Sequence, residues 1–261
     1  MGARAIWKAE LHLGDETVPV KLYSAVQDRN IHFKLLHEPD QVPLQQRRVN
    51  PLTDETVPYE ETRRAFEAER DLFVVLDEEE LASAEPPPSR AITVTRFVDP
   101  VLINHQWFER PYYLGPDGHE GDYFALAAAL AKQNKEGVAR WTMRNKGYVG
   151  ALRAEGPYLM LISLRSADEI IPASELEPPS GRQLAKEELK LAEQLIDALT
   201  GEFHPEEFRD EYRHRVQELI EAKQEGKSLP TRKYEPEPAS VGSLSASLKA
   251  SLKKAGLKRA G

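Results

Sequence analysis

Apolar and polar side chains alternate with a period of two from the start of this chain, a pattern that only a strand with one buried face can satisfy. Between Ala3 and Leu13, the residues Trp7, Ala9, Leu11 and Leu13 fall on one side and Lys8, Glu10 and His12 on the other. Gly14-Asp15-Glu16 supplies turn chemistry, and Val18, Val20 and Leu22 resume the alternation, so Ala3 to Ser24 reads as a β-hairpin. Further strands are expected at Leu72 to Leu76, Ala91 to Phe97, Tyr112 to Leu114, Val138 to Arg144, Tyr148 to Leu152 and Tyr158 to Leu164, with one Ala-rich helix over Asp122 to Lys132. Many short strands joined by turns predict a barrel or sandwich. At 261 residues with 40% hydrophobic content, the chain has enough material for a core.

Two stretches break this pattern. Asn30 to Pro58 is polar, contains Pro39, Pro43, Pro51 and Pro58, and shows no sustained periodicity. Irregular segments of this length are commonly functional, so an extended arm is expected. As one hairpin with half the segment in each direction, it would reach roughly 45 Å at about 3.3 Å per residue. After Pro178-Pro179-Ser180-Gly181 the periodicity becomes helical, with Leu184, Leu191, Leu195 and Leu199. His204-Pro205 then opens a second helix, Glu206 to Lys223, expected to bury Phe208, Tyr212, Leu219 and Ile220 against the core or another subunit. From Ser228 the chain is rich in Pro, Ser, Ala and Lys, a composition expected to be disordered when free. The expected organisation is 1–179 as a β-rich core, with an arm at about 30–67, then 180–227 as a helical region and 228–261 as a flexible basic tail.

Cysteine is absent, which excludes disulfides, thiolate metal sites and thiol nucleophiles and suits a reducing cytoplasm. No apolar run approaches the roughly 20 residues of a membrane helix. The net charge of −8 argues against a polyanion partner until its distribution is considered. Acids cluster at Asp77 to Glu80, Glu175 to Glu177 and Glu202 to Glu225, whereas cations gather at Arg47-Arg48, along Arg140 to Arg153 and after Glu237, where no carboxylate side chain follows. In the strand Val138 to Arg144, alternation turns Ala139, Trp141 and Met143 inward and leaves Arg140, Thr142 and Arg144 outside, with Lys146 in an Asn145-Lys146-Gly147 turn. Such a row suits a polyanion track, and equally a solvent face with local ion pairs. The tail cations Lys249, Lys253, Lys254, Lys258 and Arg259 could raise association with nucleic acid or only solubilise the chain. Folded as a helix, the tail would align Leu244, Leu248 and Leu252 for a partner groove or a membrane surface.

Several collinear blocks resemble the prokaryotic Ku family: R-A-I-W-K at Arg4 to Lys8, V-P-V-K-L-Y-S at Val18 to Ser24, E-T-V-P-Y-E-E at Glu55 to Glu61, F-V-V-L-D-E-E-E-L at Phe73 to Leu81, E-R-P-Y-Y-L-G-P-D at Glu109 to Asp117, A-R-W-T-M-R at Ala139 to Arg144 leading to L-R-S-A-D-E at Leu164 to Glu169, and E-L-I-E-A-K-Q-E-G-K at Glu218 to Lys227. The resemblance implies an α+β fold: a Ku-core-like β-barrel whose extended arm closes a ring in a homodimer, followed by a helical C-terminal region. It implies no active site and no cofactor. Double-stranded DNA ends would be bound without sequence preference, and an end-joining DNA ligase would be recruited for double-strand break repair in the cytoplasm, at the nucleoid and away from membranes. The ring's phosphate contacts would come from Lys34, Arg47, Arg48, Arg140, Arg144 and Lys146, with the tail cations adding affinity. Arg213, Arg215, Glu218 and Glu221 on the C-terminal helix would face solvent or a partner. Where the family often has metal-ligand-like cysteines, this chain reads V-N-P-L-T-D-E-T at Val49 to Thr56, so no metal is expected.

The competing class is a metal-dependent hydrolase or nuclease built on Glu207, Glu211 and His214, a Glu-x-x-His pair with a carboxylate one turn earlier, which is half of a di-iron pattern without the other half. His32 and His37 lack a nearby third ligand. Gly226-Lys227-Ser228 has Glu221 where a phosphate-binding loop needs its first glycine.

Overall fold

The computed structural model describes residues 4–176, 185–227 and 248–253. The chain divides into two compact units at Glu175/Leu176. In the first, the N-terminal hairpin forms as its alternation requires: β1 (Trp7–Leu13) pairs antiparallel with β2 (Glu16–Ser24), Leu11 opposite Val18 and Ala9 opposite Val20. Then come β3 (Arg64–Glu69), β4 (Leu72–Leu76), the short helix α1 (Glu78–Ser83), β5 (Ala91–Val98), β6 (Phe108–Pro116), helix α2 (Glu120–Gln133), β7 (Glu136–Met143), β8 (Lys146–Glu155) and β9 (Tyr158–Leu164).

Seven of these strands close a barrel in the order β1-β2-β6-β9-β8-β7-β5. All neighbours are antiparallel except the closing pair, β1 with β5, which run parallel from Glu10↔Ala91 to Leu13↔Val94. Closure removes the sheet edges that would otherwise template aggregation. The inward residues, among them Leu11, Val20, Leu22, Ile92, Leu114, Ala139, Leu152, Leu159 and Leu161, form one buried cluster.

Helix α2 adds Tyr123, Ala127 and Leu130, spaced i, i+4, i+7 on one face, to that cluster. The Tyr123 hydroxyl donates to the Leu114 carbonyl of β6 and accepts from the Leu159 amide of β9 at 2.8 Å, so one buried side chain ties the helix to two strands. Burial raises its pKa. At the helix entrance Asp117 accepts from Lys21 at 2.6 Å and Lys8 at 2.9 Å, contacts that hold its carboxyl below the ordinary range.

β3 and β4 form a separate two-stranded sheet. The residues preceding it, Asn30 to Pro58, do not make one continuous hairpin. They fold into two local turns closed by the isolated pairs Leu36↔Pro43 and Val49↔Thr56. The prolines explain this, because each removes a donor from any extended ladder. β3 and α1 were not expected from the sequence.

The second unit contains α3 (Lys186–Leu199) and α4 (Glu211–Gln224). His204-Pro205 opens only a 3-10 turn, Pro205–Glu207, and the helix expected from Glu206 begins at Glu211. The Asp210 side chain accepts from the Arg213 amide at 3.0 Å and fixes that later start. Phe208, Tyr212, Leu219 and Ile220 are not buried against the core of this single chain, and Phe208 stacks on Phe203 with centroids 5.1 Å apart. Leu184 and Leu244 lie outside the described residues, while Leu191, Leu195, Leu248 and Leu252 are half-buried and Leu199 is exposed. No described helix is long and apolar enough to cross a membrane.

Glu136, at the start of β7, is a buried acid, 2% exposed, whose Oε1 lies 3.4 Å from Arg153 Nη1 and whose Oε2 has no partner among the described residues. Burial raises its pKa, and Arg153 offsets this only in part. A carboxyl raised in the folded state stabilises most below the ordinary carboxylate pKa, and that contribution is lost as pH rises through the folded value. Glu136→Gln is therefore expected to be about 1 kcal/mol more stable than wild type at neutral pH, with the difference shrinking as pH falls toward 4. Denaturant melts across that range check it, and a difference independent of pH would contradict it.

Candidate nucleic-acid interface

The β7–β8 hairpin carries the best-defined basic feature of the described residues. β7 alternates as its sequence demands, with Ala139, Trp141 and Met143 buried, Arg140 exposed and Thr142 half-buried on the opposite face. Trp141 pairs across the ladder with Tyr148, and the rings stack at 5.3 Å with an 11° tilt. Gly150 makes room for that indole: a Cβ there would lie 2.6 Å from Trp141 and from the Ile162 carbonyl.

The turn is shifted from its expected place. Met143 pairs with Lys146, so the two loop residues are Arg144 and Asn145, with φ of 52° and 60°. Both angles positive is the twist-matched geometry of a two-residue hairpin, which requires the left-handed region at both positions. Arg144 thus sits at the tip rather than on the strand face, and Lys146 opens β8, its Nζ 5.4 Å from the Tyr148 ring centroid. None of Arg140, Arg144 and Lys146 has a carboxylate within ion-pair distance among the described residues, whereas Lys8, Lys21, Lys135 and Arg153 do.

Arg140 and Lys146 line a common cleft of about 450 Å³, together with Thr93 of β5, Glu109 of β6 and, beyond β9, Arg165, Ser166 and Glu169. Sequence reasoning did not single out Arg165, although it stands in the L-R-S-A-D-E block. Its Nη1 donates to the Gln106 carbonyl at 2.8 Å and the Phe108 carbonyl at 2.5 Å. Arg110, also not singled out, lies 5.7 Å over the Tyr112 ring.

Lys34, Arg47 and Arg48 are exposed and line no part of that cleft. Arg48 lies between the two local turns, its guanidinium 5.1 Å over the Tyr59 ring and its carbonyl accepting from Val57. Lys249 and Lys253 are exposed on a short helical segment, 248–253. Lys254, Lys258 and Arg259 lie outside the described residues.

On α4, three of the four residues expected to face a partner interact with their own helix. Arg215 pairs with Glu211 at 2.5 Å, Glu218 faces His214 at 3.3 Å, and Glu221 accepts from Gln217 at 3.5 Å; Arg213 is half-buried. The same pairs dismantle the candidate metal constellation. Glu211 is taken up by Arg215, His214 faces Glu218, and Glu207 belongs to the separate 3-10 turn rather than to the preceding turn of one helix. Among the described residues no group of three or more histidines and carboxylates is placed to hold a metal.

A closed barrel bearing a helix against its core, an interposed irregular segment and, on one hairpin, cations without ion-pair partners among the described residues define a β-barrel scaffold with a basic surface. Residues 12–191 match the Ku70/Ku80 beta-barrel domain. The chain is 38% identical over 255 residues to Non-homologous end joining protein Ku 2 of Geotalea uraniireducens (strain Rf4), covering 97% of this chain and 99% of that protein. It is 37% identical over 252 residues to Non-homologous end joining protein Ku of Anaeromyxobacter sp. (strain K), covering 96% and 85%. The likeness to the protein of the same name from Mycobacterium tuberculosis (strain CDC 1551 / Oshkosh) is 33% over 259 residues, covering 96% and 95%. The chain belongs to the Ku family.

An arginine held at positive φ is strained, and strain of this kind concentrates where function retains it. Arg144→Asn, which suits the left-handed region, is expected to raise stability by about 1 kcal/mol. Thermal melting checks this, and an unchanged or lowered melting temperature would show that the turn carries no such strain.

Proposed function

We propose that this protein binds double-stranded DNA ends in non-homologous end joining, as a homodimer whose two copies enclose the duplex, and that it recruits the ligase that seals the break. The observation that carries this reading is likeness along nearly the whole chain to proteins named for that pathway. Threading would make affinity depend on a free terminus, while the cations need only follow phosphates, which carry no sequence information.

Two physical features support it. Arg140, Arg144 and Lys146 form a basic surface with no described carboxylate within ion-pair distance, and it would track phosphates with Lys34, Arg47 and Arg48 from the arm and Lys249, Lys253, Lys254, Lys258 and Arg259 from the tail. The second feature is apolar exposure in the arm region. Phe66, Leu72, Phe73, Val74 and Val75 on the β3–β4 sheet are exposed, as are Phe33, Leu35, Leu36, Val42 and Leu44 before it. A two-stranded sheet is marginal on its own in water, and apolar exposure on this scale favours a covering surface, here assigned to the second copy. The assigned domains are the barrel core with its arm to about residue 179, the helical region to 227 and the basic tail. The α4 residues Arg215, Glu218 and Glu221, with the half-buried Arg213, are assigned to ligase contact, and the site of action to the nucleoid in the cytoplasm.

Linear duplex is expected to be retained at least tenfold better than the same DNA as a covalently closed circle in filter binding, a margin of about 1.4 kcal/mol; equal capture of the circle would overturn encirclement. Reversing Arg47 and Arg48 to glutamate is expected to weaken binding to all sequences alike and to flatten the dependence of log K on log salt by about one unit or more. An unchanged slope would remove the arm cations from the interface.

A further inference from the structure

The cleft under the β7–β8 hairpin is built for more than following a backbone. Internal phosphates of a duplex can be met by cations on an open surface and need no cavity. A concavity of about 450 Å³ lies in the size range of sites that enclose a small molecule. Arg140 and Lys146 enter it from two strands without an ion-pair partner among the described residues, and Arg165 enters beyond a third. Arg165 is pre-oriented. With Nη1 spent on two backbone carbonyls, its guanidinium plane is fixed while its other donors remain for a ligand. Two carboxylates also line the cleft and keep their charge: Glu109 accepts from the Ser163 hydroxyl at 3.0 Å and Glu169 from the Ser166 amide at 2.7 Å, and the three cations outnumber them. The Thr142 hydroxyl also lines the cleft and has no partner among the described residues.

We infer that this cleft seats a phosphate monoester, supplied by the 5′-phosphorylated terminus of a DNA strand. A monoester carries up to two negative charges and three free oxygens, where an internal diester carries one charge and two, so a cavity in which three cations outnumber two carboxylates favours the monoester. The inference rests on the end-binding reading above and adds to it that the protein senses the chemical state of the terminus. Charge-assisted donors from a fixed guanidinium supply the selectivity.

The test uses the full-length protein and one linear duplex with a single-nucleotide 5′ overhang, prepared with a 5′-phosphate or a 5′-hydroxyl. Wild type is expected to bind the phosphorylated end about fivefold more tightly. Arg165→Gln is expected to abolish that preference while binding to the hydroxyl end changes less than twofold. Thr142→Val, a near-isosteric change that removes only a hydroxyl, guards against a folding defect and is expected to reduce the preference. Equal binding of both ends by wild type would overturn the inference, as would a preference that both variants retain. Binding of the hydroxyl-ended duplex over a closed circle reports separately on end binding, so that reading can stand when this one fails. Free dAMP is titrated in parallel. If it binds in an Arg165-dependent way while the two DNA ends remain indistinguishable, the cleft serves free nucleotides and the assignment to DNA termini is overturned.

Discussion

Parallel pairing of β1 with β5 is the contact on which the remaining architecture depends. Every other neighbour in the barrel is antiparallel, and six of those pairings would still leave an open sheet with two edges. The Glu10 amide reaching the Arg90 carbonyl, and the register from Glu10↔Ala91 to Leu13↔Val94, convert that sheet into a closed surface. Only then does a period of two mean inside and outside around the whole circumference. Trp141 and Arg140, adjacent in sequence, are separated because of it, one buried and one on the outer face. Tyr123 reinforces the closed form from within by satisfying backbone groups of both β6 and β9.

The strength of the local signal decided how much of this was legible. Leu72 to Leu76 and Tyr158 to Leu164 are strands with the bounds their apolar runs suggest, because a run that ends in Asp-Glu or in a turn has nowhere else to stop. Leu164 also marks where β9 gives way to Arg165. The closing parallel pair was not legible, since no local pattern encodes which distant strand becomes a neighbour. β3 escaped notice because Arg64-Ala-Phe-Glu-Ala-Glu offers one large apolar residue, and that residue is exposed. At α4 a cap outweighed composition: the pattern extends back to Pro205, yet the Asp210 carboxylate rewards a start at Glu211. The hairpin tip moved by one position for a similar reason. Keeping Met143 opposite Lys146 maintains the inward set of both strands, and two-residue closure then leaves Arg144 and Asn145 to take positive φ.

The basic row was visible in the sequence, but its standing as an unpaired row was not. Whether a surface arginine meets a carboxylate depends on neighbours brought from elsewhere by the fold. Lys8 and Lys21 are silenced by Asp117, Lys135 by Asp99 and Arg153 by Glu136, all across strand or turn boundaries. On α4, His214 and Arg215 are answered within the helix at i, i+4 spacing. The net charge of −8 therefore misleads in a specific way. Many acids are consumed locally, while Arg140, Arg144 and Lys146 keep their field. A polyanion responds to that field and not to the sum.

Tyr123, Glu136 and Asp117 owe their perturbation to groups outside the cationic cleft, whereas Tyr112 on β6 also feels Arg110 and Arg144. Tyr112, Tyr123 and Glu136 are raised chiefly by burial, and Asp117 is lowered by the two lysines that hold the entrance to α2. Tyr123, Glu136 and Asp117 belong to the joints of the barrel: the helix anchor, the start of β7 and the turn after β6. The closed barrel supplies a fixed frame, and cations without ion-pair partners among the described residues are carried on one of its hairpins. The apolar β3–β4 sheet has no core of its own, and in the proposed homodimer it is the surface a second copy would cover.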